Sequence, residues 1–218
     1  MIEYELTPEQ ARVLGCLMEK EMATPEYYPL TLNALVNACN QKSNRNPVVS
    51  FDEDTVLQAL DGLKEHQLAW QSNAARVPKY EQHFDKNLHL VQREMSIICL
   101  LLLRGPQTAG ELRGRAERMY GFASLEEVHD TLQELQEREL VKQMARQPGQ
   151  KEARFIHLLS GEQEDLAEPS GYEPVGMANP KGSAIDERIT ALEEETSLLR
   201  EELAELKQMF MNFKGQFE

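Results

Sequence analysis

The chain lacks any long hydrophobic run. Its longest apolar stretch, Ile97 to Leu103, stops at Arg104, far short of the ~20 residues a membrane span requires, so no membrane-spanning helix is expected. Cysteine is scarce. The three present (Cys16, Cys39, Cys99) are scattered and odd in number, and each sits in an apolar helical stretch. That pattern argues against a disulfide framework and for a reducing, cytoplasmic compartment. The first five residues are acidic and carry no basic segment, so no signal peptide is expected. Aromatics make up only 6%, which predicts aliphatic cores. Catalytic signatures are also missing: there is no Walker A loop, no GxSxG, no HExxH and no dinucleotide fingerprint. The five histidines (His66, His83, His89, His129, His157) lie too far apart for a local metal motif and are expected at surfaces or domain boundaries. No catalytic residue, cofactor, metal or small-molecule substrate is therefore expected, and the chain is read as a non-enzyme.

What is present is an ordinary globular composition, 41% hydrophobic and 28% charged over 218 residues, enough for two small domains. The net charge of −14 is unevenly spread. Residues 1–84 carry 7 basic and 12 acidic side chains, residues 85–159 carry 11 of each, and residues 160–218 carry 5 and 14. The acidic balance excludes a uniformly basic nucleic-acid binder, but it leaves an arginine-rich middle third.

The chain repeats itself. Val56, Leu60 and Leu63, followed by Leu68-Ala69, match Val128, Leu132 and Leu135, followed by Leu140-Val141. The spacing marks one helix face followed by a strand. Leu6, Val13, Leu14 and Leu17 match Leu90, Ile97, Ile98 and Leu101, and Thr31 with Leu35 matches Thr108 with Leu112. Helix starts are predicted at Thr7-Pro8 with Gln10, and at the capping-box pairs Ser50/Glu53, Thr108/Glu111 and Ser124/Glu127. Strands are predicted at 68–71 and 76–84, with Pro78 implying an edge position. In the second half they are predicted at 140–145 and 155–159 around Pro148-Gly149. Each half thus reads as three helices and a hairpin, the winged-helix order; two unrelated helical bundles with frayed hairpins are the alternative. The expected fold class is mainly α with small β-hairpins (α+β), with tandem winged-helix domains at 1–86 and 87–160. The short linker at 85–89 should bring the two into contact.

The stretches TPEYYPLTLNALVNACNQKSNRNPV (24–48), VPKYEQHF (77–84), LLLRGPQTAGELRGRAERMYGF (101–122) and GQKEARFIHLLSGE (149–162) resemble the bacterial YceH-like family. That resemblance implies a tandem winged-helix architecture and no established biochemical activity. It does not extend clearly over 164–183.

In a helix-turn-helix the second helix of the motif enters the major groove. Here that helix carries Asp52, Glu53, Asp54, Asp61 and Glu65 in the first half, and Glu126, Glu127, Asp130, Glu134 and Glu137 in the second. Those charges oppose a phosphate wall. A different basic face is available: Arg104, Arg113, Arg115 and Arg118, with Lys142, Arg146, Lys151 and Arg154 on or beside the second hairpin. These are candidate nucleic-acid contacts, or partners for Glu111, Glu117 and Glu152. Lys42 and Arg45, in the amide-rich loop 40–47, suit bases and phosphates, while its amides suit turns and caps equally well. Tyr27, Tyr28 and Tyr80 can stack on bases or pack on the hairpin. DNA-associated regulation through the second domain's basic face is the first reading. A protein–protein adaptor or scaffold using the acidic helix faces is the alternative.

Residues 161–184 read as a flexible acidic linker broken by Pro169, Gly171, Pro174, Gly176, Pro180 and Gly182. Residues 185–213 read as a parallel coiled coil giving a homodimer, with Ile185, Ile189, Leu192, Leu199, Leu203 and Leu206 on its seam. The flanking pairs Arg188/Glu193, Glu195/Arg200 and Glu202/Lys207 are all opposite in sign. An amphipathic helix folding back on its own domains is the alternative.

Overall fold

The computed structural model describes residues 4–72, 77–145 and 152–161. Residues 162–218, which hold nearly all of the expected linker and all of the expected coiled coil, lie outside the described residues. The fold is α+β. Helix α1 spans Pro8–Ala23, and after a 3-10 turn at Pro25–Tyr27 come β1 (Leu30–Thr31), α2 (Leu32–Cys39), α3 (Glu53–Glu65), β2 (Ala69–Ser72) and β3 (Lys79–Gln82). Then follow α4 (Phe84–Leu88), α5 (Gln92–Arg104), α6 (Ala109–Ala116), α7 (Leu125–Glu137), β4 (Val141–Gln143) and β5 (Phe155–His157). The expected linker at 85–89 is thus mostly the short helix α4, closed by His89 in the left-handed region.

Local sequence explains most helix starts. Thr7 accepts a bond from Gln10 N (3.2 Å) while the Gln10 amide accepts from Thr7 N (2.9 Å). Thr108 and Glu111 make the same reciprocal pair. Two predicted boxes change. Helix α3 starts on Asp52, which accepts from Thr55 N at 2.8 Å, rather than on Ser50. The preceding backbone is fixed elsewhere, because the Asn40 side-chain amide pairs with both N–H and C=O of Phe51. At α7, Ser124 caps Glu127 N, but the Glu127 carboxylate turns to Ala123 N and to the Tyr120 hydroxyl.

The third helix of each half ends the same way. Leu68 N donates to Leu63 O and Gln67 N to Lys64 O; Leu140 N donates to Leu135 O and Glu139 N to Gln136 O. This is the Schellman pattern. Its left-handed residues are Gln67 (φ 58°) and Glu139 (φ 56°) instead of the usual glycine. The internal repeat therefore extends to the backbone.

The first sheet has the order β1-β3-β2, all antiparallel. β3 is consequently the central strand. The edge position expected from Pro78 is wrong: the proline sits just ahead of the first paired residue, Lys79, where no ladder hydrogen bond is lost. In the second half β4 pairs with β5, and Gln107 exchanges both backbone bonds with Phe155. Gln107 thereby occupies the place that β1 holds in the first half.

Helices α1 and α5 carry the longest runs of consecutive buried residues, and the reason is their mutual contact. Residues 11–18 of α1 and 94–103 of α5 are all buried, as expected of helices with no solvent face. Gly15 permits the approach: a Cβ there would lie 2.9 Å from the Leu103 side chain and 3.2 Å from Leu102 Cβ. Cys99 Sγ donates to Gly15 O across the same crossing. The two halves consequently share one hydrophobic core. They are knit further by Leu6 N to Leu159 O (2.7 Å) and Asn46 N to Leu103 O (2.9 Å). Among the described residues no helix is long and apolar enough to cross a membrane.

Candidate functional site

The loop between α2 and α3 spans the joint. Asn46 donates from its backbone to Leu103 O and from its side chain to Arg104 O, and the Arg104 guanidinium donates to the Asn44 side chain. These amides cap the C-terminus of a helix in the other half, satisfying carbonyls that α5 leaves open.

Arg45, expected as a nucleic-acid contact, is instead inside the protein. Its guanidinium meets Glu19 Oε2 at 2.6 Å and donates to Ala38 O, Asn44 O and Gln41 Oε1. Burial is the largest influence and works against its charge, but the hydrogen bond to Glu19 and the Coulombic attraction of its surroundings together exceed it and hold its pKa above the ordinary guanidinium value. The same pair holds the Glu19 carboxyl below its ordinary value despite burial. Arg12 lies alongside, buried, donating to Cys39 O and Pro47 O. The loop is thus pinned from beneath by two guanidiniums.

Above this support lies a cleft of about 660 Å³ whose walls come from both halves. Lys20 and Lys42 stand on one wall; Arg104, Arg115 and Arg118 stand on the other. Only Glu19 and Glu117 oppose these five cations within the lining, and Glu19 is already held by Arg45 and by Lys20 at 3.3 Å. Arg104 is lowered from its ordinary pKa by burial first, then by the charges of Arg115 and Arg45, which records crowding of cations. The floor carries Leu100, Leu103 and Met119.

The other expected contacts are dispersed. Arg113 is exposed on α6, one guanidinium N–H on Ala123 O. Arg115 is tied to Glu111 (3.2 Å) and Gln107 (2.7 Å). Arg154 pairs with Glu111 (3.4 Å) and donates to Pro106 O. Lys142 is exposed on β4. Arg146 and Lys151 lie outside the described residues, as do Ile185, Ile189, Leu192, Leu199, Leu203 and Leu206. Lys20 was missed by the sequence reading, since a lysine at a helix end ordinarily answers the helix dipole.

On the third helices, Asp52, Glu53, Asp54, Asp61, Glu65, Glu126, Asp130 and Glu137 are exposed, while Glu127 and Glu134 are half-buried. Glu134 is engaged by both its oxygens with Arg93. Tyr80 is core, the Tyr28 hydroxyl accepts from Gln82 N at 2.6 Å, and Tyr27 is exposed. The only tryptophan, Trp70, is exposed on β2 and stacks on His83 with ring centroids 6.0 Å apart.

The expectation of peripheral histidines fails at His157. It is buried in β5 without a partner for Nδ1, and burial pushes its pKa down to about 4. Among the described residues no group of three or more His, Cys, Asp or Glu side chains is placed to hold a metal.

Comparison with known proteins gives the lineage. A UPF0502 protein of Pelobacter propionicus is 53% identical over the full length of both chains, and one of Solibacter usitatus is 50% identical over the full length of both. The UPF0502 protein YceH of Escherichia fergusonii is 45% identical over 95% of each. Residues 6–150 match the family described as protein of unknown function, DUF480. With that match and full-length similarity to UPF0502 proteins that include YceH, the chain belongs to the YceH-like DUF480 family.

Proposed function

We propose that the chain is a non-catalytic binding protein of two tandem winged-helix domains. It acts in nucleic-acid-associated regulation, and the cationic side of the second domain is its phosphate contact. The twice-repeated order of three helices and a hairpin supports the domain reading. The observation that carries the contact is the gathering of Arg104, Arg115 and Arg118 on one wall, with Arg113 exposed beside them and Lys42 facing them. The acidic exposed faces of α3 and α7 disfavour insertion of either helix into a groove, since affinity for duplex rests mainly on phosphate neutralisation. The contact therefore runs through α6 and the loop 40–47. Residues 185–213 are proposed to pair as a parallel coiled coil, presenting two such surfaces.

Electrophoretic mobility shift over a salt series tests this. With about five cations on phosphates, log K falls with log salt at a slope near −4 to −5. Arg115→Glu with Arg118→Glu abolishes the shift. No retardation at ~50 mM salt overturns the reading in favour of a protein–protein adaptor. The adaptor reading has its own support in the same acidic faces and in exposed Trp70, a residue type that anchors interfaces.

A further inference from the structure

The cleft is too small to admit a duplex, whose phosphates can reach only its rim. Its volume of about 660 Å³ falls inside the ~300–1,000 Å³ of small-molecule sites. Its chemistry is equally specific. Cations converge from two separate halves of the chain onto one concavity, in a protein whose net charge of −14 repels anions elsewhere. A concave cationic site of this kind concentrates small anions by focusing the local field. Lys42 and Arg118, on opposite walls, are both exposed. Beneath them the floor is apolar, formed by Leu100, Leu103 and Met119, and this suits a flat ring rather than a phosphate.

We propose that this cleft is an effector site for a nucleoside polyphosphate, its phosphates spanning the cations of the two walls and its ring lying on the apolar floor. The ligand is bound and released unchanged, so no substrate chemistry is involved. Bound there, it neutralises Arg104, Arg115 and Arg118, the cations assigned above to the nucleic-acid backbone, and so competes with duplex. That competition rests on the nucleic-acid reading; the site itself does not. Because the ligand touches both halves, it also stabilises the joint by binding only the folded chain.

The full chain is titrated with ATP by isothermal calorimetry at low salt without divalent metal, with inorganic triphosphate and adenosine as separate arms. The expected result is one ATP per chain, weaker binding of triphosphate and no measurable heat from adenosine. Lys42→Glu with Arg118→Glu, both at exposed positions, weakens ATP at least ~10-fold, as removal and reversal of two facing charges should. Lys86→Glu, exposed on α4 and outside the cleft, leaves ATP affinity within ~2-fold. Circular dichroism and thermal unfolding of each variant confirm that it is folded. Absence of saturable heat up to about 1 mM ATP, or unchanged affinity in the folded double variant, overturns the site. Triphosphate binding as tightly as ATP overturns the assignment of the floor to a ring. Duplex retardation measured without nucleotide is scored separately. A chain that binds ATP but not duplex sinks only the nucleic-acid reading, and one that binds duplex but not ATP sinks only this one.

Discussion

Replacing Arg45 by Met keeps an apolar stem of similar length and deletes the guanidinium. In the native protein that group is fully enclosed, its side chain 0% exposed against 14% for Glu19, and the two meet at 2.6 Å. Without it Glu19 is left mostly enclosed, with only Lys20 at 3.3 Å to offset its charge, and Ala38 O loses two donors. Removing one partner of a buried ion pair costs ~3–5 kcal/mol. Lys20 at the rim relieves part of this, so about 3 kcal/mol is expected. At ~2–4 °C per kcal/mol for a chain of this size, the midpoint falls roughly 6–12 °C. Urea unfolding at neutral pH, followed by two probes to check two-state behaviour, reads the difference.

The pH dependence of the same variant has a fixed sign. In the wild type the Glu19 carboxyl lies below its ordinary value. Its contribution is therefore present above the unfolded pKa of about 4.3 and is lost as pH falls through the folded value. In Arg45→Met burial dominates and raises that carboxyl, so protonation relieves the variant while it harms the wild type. The deficit narrows as pH falls through the variant's raised carboxyl value, and narrows further below the unfolded value of about 4.3 as the wild type loses its own contribution. Adding Glu19→Gln recovers part of the loss at neutral pH, because the uncompensated charge is gone. A cost under ~1 kcal/mol together with lost duplex binding would refute this reasoning and return Arg45 to the contact surface.

Other expectations follow from the same geometry. Gln67→Gly and Glu139→Gly each stabilise by ~0.5–1 kcal/mol, because glycine tolerates the left-handed backbone of the Schellman turns; urea midpoints show the gain, and a loss at both positions would contradict the assigned conformation. The neutral His157 in β5 contributes stability that is fully present above its unfolded pKa of about 6.5. That stability falls by roughly 3 kcal/mol as pH drops toward the folded value of about 4, and His157→Leu should flatten the urea-midpoint profile over that window. Sedimentation of the full chain against one ending at Gly182 tests the proposed coil: a concentration-dependent dimer that turns monomeric on truncation supports it, and a monomer in both refutes it.

The features legible in sequence are those whose physics is local. Thr7 with Gln10 and Thr108 with Glu111 find partners three residues away, and the periodic leucines of α3 and α7 point inward as their spacing requires. What escaped is decided across long separations. Two-residue β1 and single-residue Gln107 carry no periodicity, yet they place β3 at the centre of its sheet and bind β5. The loop 40–47 reads as amide-rich and basic, but its destinations, Leu103 O and Arg104 O, lie more than fifty residues onward. Arg45 has a surface residue's composition and an interior residue's fate, because Glu19, 26 residues earlier, arrives beside it. The arginines of the cleft were identifiable one by one. That they face Lys20 and Lys42 across a concavity follows only from how α5 crosses α1.

A duplicated module usually keeps its independence: either copy can be lost, swapped or spliced into another protein. The Gly15 contact removes that freedom. A chain cut after residue 86 would wet the α1 surface that Leu102 and Leu103 now cover, and one begun at residue 87 would strand the apolar flank of α5. Each half supplies a wall of the other's core. Both hairpins and both acidic helices are accordingly carried on a single hydrophobic core rather than on two.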